Sequence, residues 1–147
     1  MVLNNLNFGQ GNFSHGEEYT LFNLDSISFS NLICYDLSNP LIVKDFIKKG
    51  ARFLTVQANV AWLQNSSGVR QFFEMAKLRA IENRTGIALS ANTGISGIIN
   101  PLGEVAHKIR YNKQEVINGK VFLNNEVTFY SKYGNIFSKI CFFISLL

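Results

Sequence analysis

The chain has 147 residues, of which 47% are hydrophobic, and this is enough to bury the core of one domain. Its formal charge of +4 comes from basic side chains scattered along the sequence, with Lys48 and Lys49 the only adjacent pair, which argues against a nucleic-acid partner. The two cysteines, Cys34 and Cys141, lie far apart and suggest neither a disulfide framework nor a metal site, and we expect no cofactor.

The first segment, Met1 to Glu18, is rich in asparagine and glycine and predicts a loop. It holds no basic region followed by an apolar one, so we expect no export signal in it. His15 stands alone there and is predicted to be a surface residue. Tyr19 to Leu24 and Ile27 to Cys34 then predict two strands joined by a turn at residues 25 and 26.

The second of these strands is followed by a sharp change of pattern. Polarity returns at Asp36, and Ser38 and Asn39 are suitable N-caps for a helix from Leu41 to Lys49. Cys34 is therefore expected at a strand-to-helix elbow, where the positive end of a helix favours thiolate over thiol. Two interpretations of Cys34 remain open, a nucleophile or a small buried hydrophobic side chain.

The next strand is predicted over Arg52 to Ala58. If it runs parallel to the preceding strand, both carboxyl ends meet at one edge of the sheet, because a helix links them. Asn59 and Trp62 would then lie close to Cys34. Trp62 is interpreted either as an ordinary core or rim aromatic or as a wall of a pocket beside the cysteine.

Helical periodicity predicts a helix from Ser66 to Arg84 that packs on the sheet. Its charged residues Arg79, Glu82 and Arg84 are expected at the surface.

Short apolar runs then predict antiparallel strands over Ile87 to Asn92, Gly97 to Pro101 and Glu104 to Arg110. Val116 to Leu123 contains the hairpin-type dipeptide Asn118-Gly119 and predicts an edge element.

The C-terminal segment, Ile136 to Leu147, is apolar except for Ser138, Lys139 and Ser145. As a helix it would span only about 18 Å, against roughly 30 Å of hydrocarbon in a bilayer, so it cannot cross a membrane by itself. It is either an apolar helix cut short or an amphipathic or buried C-terminal helix.

A series of segments carries a resemblance to a known family. They are NFSHGEE (12–18), LICYD (32–36), GARFL (50–54), ANVAW (58–62), SSG (66–68), LRAIENR (78–84), ANTGIS (91–96), INPLGEV (99–105) and FYSKYGN (129–135). In order and spacing they resemble the C-terminal half of the bacterial apolipoprotein N-acyltransferases. Several are shared with the wider carbon–nitrogen hydrolase (nitrilase) superfamily, whereas the aromatic-Ser-x-Tyr-Gly pattern before an apolar tail is more particular to the membrane acyltransferases.

The resemblance implies an α/β fold, with part of a nitrilase-like α-β-β-α sandwich over residues 1–134 and the start of a truncated transmembrane helix over 135–147. It implies that Cys34 is the nucleophile and forms a thioester. The residues implied to contact substrate are Asp36, Asn59 and Trp62. The implied partners are a phospholipid acyl donor, a diacylglyceryl-lipoprotein acceptor and the bacterial inner membrane, with the catalytic domain on its periplasmic side.

In the resembled enzymes the cysteine works with a glutamate, which accepts the thiol proton, and a lysine, which stabilises the oxyanion. The resemblance places both upstream of residue 12, and residues 1–11 contain no Glu, Asp or Lys. The family also commonly has Glu at Asp36, Asp at Val60, Phe-Gly at Leu63-Gln64, His at Phe72 and Arg at Leu89. We therefore expect this chain to be inactive alone. The alternatives are a fragment of a soluble nitrilase or amidase and a non-catalytic remnant.

Overall fold

The structure, a computed structural model, describes residues 18–64 and 67–146, so the predicted N-terminal loop with His15 lies outside the described residues. One six-stranded sheet has the order β1-β2-β3-β4-β5-β6. Its strands are β1 (Phe22–Leu24), β2 (Ile27–Ile33), β3 (Phe53–Asn59), β4 (Gly86–Asn92), β5 (Ser96–Ile99) and β6 (Val105–Ile109). The helices are α1 (Pro40–Lys48), α2 (Ser67–Asn83), α3 (Phe129–Tyr133) and α4 (Ile136–Ile144).

The centre of the sheet is parallel, and its flanks are antiparallel. β2 pairs with β3 and β3 with β4 in parallel, and α1 and α2 form the two crossovers. β1 and β2 form the predicted hairpin, with Leu24 opposite Ile27. β4, β5 and β6 form the predicted antiparallel series. The carboxyl ends of β2, β3 and β4 therefore share one edge of the sheet.

The hydrophobic core lies between the sheet and the two crossover helices. Leu54, Val56 and Ala58 alternate along β3 and are buried. They belong to one cluster with the apolar faces of α1 and α2, whose buried members are Val43, Phe46, Ile47, Val69, Phe72, Phe73, Ala76 and Ala80. Each large side chain that is fully buried contributes roughly 1.5–3 kcal/mol, so this layer holds the parallel strands in place.

The prediction of an edge element over Val116 to Leu123 is wrong, because residues 113–125 form no strand. This segment, the strap, crosses the sheet face opposite the helices and returns to the amino-terminal edge, where the Gly86 N–H donates to the Phe122 carbonyl at 3.2 Å. A Cβ at Gly119 would come within 2.7 Å of Ile98 Cδ1. The glycine of the Asn118-Gly119 dipeptide therefore allows a close crossing of the sheet and does not form a hairpin turn.

The prediction that the charged residues at the end of α2 all lie at the surface is also wrong. Arg84 is exposed as expected, but Arg79 is only 6% exposed, and its Nε lies 3.2 Å from Glu82 Oε2. Burial raises the pKa of the Glu82 carboxyl more than the Arg79 charge lowers it. The pair is therefore covered by another part of the chain.

Asn83 connects that covering segment to α2 and is itself fully buried. The Ser131 hydroxyl donates to Asn83 Oδ1 at 2.7 Å, and the Asn124 amide donates to the Asn83 carbonyl at 2.9 Å. The Asn83 amide donates to the Arg79 carbonyl at 3.0 Å. These bonds fix the strap and α3 against the end of α2.

The predicted C-terminal helix is present as α4, and all of its residues are exposed. No helix within residues 18–64 and 67–146 is long and apolar enough to cross a membrane. The start of a transmembrane helix at this position therefore stays a prediction.

We predict that Asn83→Ala lowers the free energy of unfolding by about 1–3 kcal/mol, because it leaves the buried Ser131 hydroxyl without its acceptor. Urea unfolding followed by circular dichroism measures this change. Gln71→Ala, on the exposed face of the same helix, is the matched control and should change stability by no more than about 0.5 kcal/mol. An Asn83→Ala effect as small as the control's would contradict this role.

Candidate functional site

Cys34 is the first residue of a 3-10 turn, Cys34–Ser38, that follows β2 directly. Its φ is +51°, in the left-handed region, which costs a residue with a Cβ about 1–2 kcal/mol. Backbone strain of this kind concentrates at functional sites. The turn leaves the thiol half-buried at the edge of the sheet where the parallel strands end.

The predicted elbow is present, but its geometry differs from the expectation. α1 begins at Pro40, and the Asn39 side chain caps it by accepting the Leu41 N–H at 3.0 Å. The 3-10 turn lies between Cys34 and this helix, and an effect of the positive end of α1 on the thiol stays a prediction. The difference arises because the turn has its own polar anchors, which the spacing of apolar residues does not reveal.

The anchors of the turn are short-range hydrogen bonds. Asp36 Oδ2 accepts the Ile33 N–H at 3.0 Å, and the Ser38 hydroxyl donates to the Tyr35 carbonyl at 2.7 Å. Leu37 is fully buried beneath them. Asp36, predicted to contact substrate, thus has its carboxylate hydrogen-bonded to the backbone beside the cysteine, and its predicted role remains a prediction.

Asn59 ends β3 beside the cysteine. The Cys34 thiol donates to the Asn59 carbonyl oxygen at 3.9 Å, and Asn59 Oδ1 accepts the Ala61 N–H at 3.2 Å to open a second 3-10 turn, Ala61–Leu63. This turn carries Trp62, which is 62% exposed. The structure therefore brings Cys34, Asn59 and Trp62 together at one edge of the sheet, as the parallel pairing predicted.

Tyr35 is a site residue that the sequence reasoning missed. Its ring lies 6.0 Å from the Trp62 ring and 6.3 Å from the Phe72 ring, measured between centroids. Tyr35 is 53% exposed and Phe72 is buried, so the aromatic surface runs from the core to the solvent beside the thiol. The available signal was the position of Tyr35 directly after the cysteine.

Val60 and Gly94 join the loops that follow β3 and β4. Val60 is 1% exposed, and a Cβ at Gly94 would come within 2.4 Å of Val60 Cγ2. The absence of a side chain at Gly94 is thus required for this packing. Because Val60 lies between Asn59 and the turn that carries Trp62, the contact helps to set where both residues lie.

Charged side chains lie farther along the same edge. Lys113 and Glu115 line a polar cleft with Asn92, at the carboxyl end of β4. β4 lies two strands from β2, which corresponds to roughly 10 Å across the sheet. Among the described residues, the hydrogen bond of the Cys34 thiol goes to a backbone carbonyl and not to a carboxylate.

Comparison with known sequences identifies a family. The profile of the Carbon-nitrogen hydrolase family matches residues 7–126. The apolipoprotein N-acyltransferase of Geobacter metallireducens is 32% identical over 95% of this chain and 27% of its own length. That of Aquifex aeolicus is 35% identical over 71% of this chain and 23% of its own length. The chain spans about a quarter of the length of these curated relatives.

Comparison with solved structures supports the fold. A carbon–nitrogen hydrolase from Helicobacter pylori G27 has a TM-score of 0.65 at 13% identity, covering 90% of this chain and 50% of that one. An amidase from Nesterenkonia sp. has a TM-score of 0.61 at 18% identity, covering 86% of this chain and 49% of that one. Saccharomyces cerevisiae Nit3, of the nitrilase superfamily, has a TM-score of 0.58 at 21% identity, covering 69% of this chain and 40% of that one. The α/β fold is therefore nitrilase-like.

We predict that Gly94→Ala displaces the loop that carries Trp62, because the new methyl group would overlap Val60. The free energy of unfolding should fall by about 1–3 kcal/mol, as for other overpacked sites. Trp62 is the single tryptophan, so its fluorescence spectrum reports the displacement directly.

Val60→Ala in the Gly94→Ala chain is the matched test, because it removes the overlapping Cγ2 atom. It should restore part of the lost stability. An unchanged spectrum and unchanged stability in Gly94→Ala would show that the two loops are not in contact.

Proposed function

This chain belongs to the carbon–nitrogen hydrolase family, and from that premise we propose that it is part of an apolipoprotein N-acyltransferase whose nucleophile is Cys34. The observation that carries the proposal is the half-buried Cys34 thiol, on a strained turn where parallel strands end. Apolipoprotein N-acyltransferases of several bacteria match this chain, at 26–36% identity over 71–95% of its length. The activity proposed is that of the whole protein, of which this chain corresponds to a part.

In the proposed reaction, Cys34 takes an acyl group from a phospholipid. The thiolate attacks the ester carbonyl, the ester C–O bond breaks, and the lysophospholipid leaves as an alcohol that carries the former thiol proton. The acyl group stays on sulfur as a thioester. The free α-amine of a lipid-modified N-terminal cysteine then attacks the thioester, so that an amide forms, the C–S bond breaks and the amine's proton returns to sulfur.

The described residues supply the nucleophile and its surroundings in this scheme. The Asn59 carbonyl accepts the thiol hydrogen bond and orients the sulfur, but a backbone carbonyl is too weak a base to take the proton. Tyr35 and Trp62 offer apolar surface on which an acyl chain can lie. The proton acceptor and the oxyanion donor would be a glutamate and a lysine from the upstream part of the domain.

The exposed helix α4 supports a lipid-facing role. Phe137 is 76% exposed, Phe143 is 67% exposed and Ile144 is 64% exposed, so α4 presents apolar side chains to the surroundings instead of to the core. A bilayer would cover such a surface, and the Lys139 amine can extend to the polar headgroups. We place the protein at the bacterial inner membrane, with the catalytic domain on the periplasmic side.

We predict that the 147-residue chain alone, with phospholipid vesicles and a diacylated lipopeptide, yields no triacylated product in a mass-spectrometric assay. A general base contributes roughly 10²–10⁴-fold to rate, and an oxyanion donor about 10²–10³-fold. Unaided acylation at Cys34 would show that the proton acceptor lies within this chain.

The positive arm of this test adds the missing groups in trans. Co-expression with the part of the Geobacter metallireducens relative that precedes the matched region should produce an acyl thioester, since that relative is 32% identical to this chain. Cys34→Ala should abolish the thioester, and Cys141→Ala, the other free cysteine, should not. Hydrolysis of a small amide without lipopeptide acylation would favour a soluble amidase or nitrilase instead, and no reaction in either assay would favour a non-catalytic remnant.

We also predict that deleting residues 136–147 moves the protein from the membrane or detergent phase to the aqueous phase, because the deletion removes the exposed apolar side chains of α4. Vesicle flotation measures the partitioning. Phe122→Ser, at a 53% exposed aromatic outside α4, is the matched control and should leave partitioning unchanged. If the deleted chain floats as well as the full chain, α4 is not the membrane contact.

A further inference from the structure

We infer that Asp36 is a positioning residue, whose carboxylate holds the backbone of Cys34 in the conformation that presents its thiol. The inference rests on the proposed role of Cys34 and explains how the thiol is held at the edge of the sheet. Its basis is one contact, from the Ile33 N–H to Asp36 Oδ2 at 3.0 Å. This bond closes a ring that begins one residue before Cys34 and ends two residues after it.

The Cys34 backbone needs such a restraint. Its φ of +51° is disfavoured for a residue with a Cβ, whereas Ile33 just before it is extended, with φ −106° and ψ 113°. The Ile33 side chain is 65% exposed, so core packing holds β2 at the buried Leu32 and not at Ile33 itself. The Asp36 side-chain bond adds a local restraint across Cys34, between the buried side chains of Leu32 and Leu37.

The other contacts of the turn do not provide this bond. The Ser38 hydroxyl reaches the Tyr35 carbonyl, and the Asn39 N–H reaches the Asp36 carbonyl at 3.1 Å. Both bonds lie after Cys34 in the chain. The Asp36 side-chain bond spans the cysteine from the Ile33 N–H, in addition to the backbone i→i+3 bonds that define the 3-10 turn.

The geometry also argues against a proton-acceptor role for Asp36. A general base must be within hydrogen-bond distance of the proton that it removes. The Cys34 thiol donates to the Asn59 carbonyl, on the neighbouring strand, while the Asp36 carboxylate is bound by the Ile33 N–H. Asp36 therefore acts on the thiol through the backbone and not by taking its proton.

Alkylation of Cys34 tests the inference without requiring acyl transfer. The full chain carries Cys141→Ser, which leaves Cys34 as its single thiol, and iodoacetamide is the probe. Asp36→Ala should raise the alkylation rate constant severalfold, because the turn opens and exposes the half-buried thiol. Asp36→Asn keeps an acceptor oxygen of the same reach, so the turn should stay closed and the rate constant should stay within about twofold of the parent.

A role for Asp36 as the base predicts the opposite pattern. Asp36→Asn and Asp36→Ala would then both lower the rate and alter its pH profile, and this result would overturn the inference. An unchanged rate in Asp36→Ala would overturn it too. Asp45→Ala, at a partly exposed aspartate on α1 that pairs with Lys44, is the matched control and should not change the rate.

Amide hydrogen exchange at Ile33 gives a second readout. Protection should persist in Asp36→Asn and be lost in Asp36→Ala, while the rest of β2 stays protected. If Asp36→Ala does not fold, Asp36→Asn still tests the inference, because a fall in its alkylation rate would indicate the base role and a loss of Ile33 protection would show that the acceptor oxygen does not hold the turn. A chain that shows this pattern but supports no acylation with the upstream half would retain the positioning role and lose the proposed function.

Discussion

The parallel pairing of β2, β3 and β4 is the constraint on which the candidate site depends. It requires crossovers, which α1 and α2 provide, and burial of their apolar faces against β3 holds the pairing in place. As a consequence, the residues that follow these strands collect at one edge. Cys34, Asn59 and the turn with Trp62 are neighbours there although up to 28 positions separate them in the sequence.

In the proposed reaction, the catalytic groups at this edge would come from two parts of the protein. The described residues provide a thiol, a carbonyl that orients it and an aromatic surface beside it. Lys113 and Glu115, the charged residues of the cleft at the end of β4, lie two strands away, beyond direct contact with the thiol. The proposed acyl transfer therefore needs its base and oxyanion donor from the rest of the domain, which agrees with a chain that spans about a quarter of its acyltransferase relatives.

Polar contacts away from the site decide how the C-terminal segment leaves the domain. Asn83 binds Ser131 in α3, and Thr128 at the start of α3 donates to the Glu82 carbonyl at 2.7 Å. α4 follows α3 after Gly134, so its first residue lies at a defined place on the domain. The exposed apolar helix thus starts from a point fixed by buried hydrogen bonds.

Local periodicity and capping in the sequence determined much of the fold. Alternation along Ile27 to Ile33 and the Asn39-Pro40 cap predict β2, the elbow at Cys34 and α1, because these signals act between residues close in the chain. The pairing of Cys34 with Asn59 and Trp62 was also predictable, since a crossover helix implies parallel neighbours. Only the tertiary structure decided the rest. Arg79 is buried at the end of α2 where α3 packs, and Gly119 marks a crossing and no hairpin because Ile98 lies beneath it. Each outcome depends on atoms whose position no local pattern specifies.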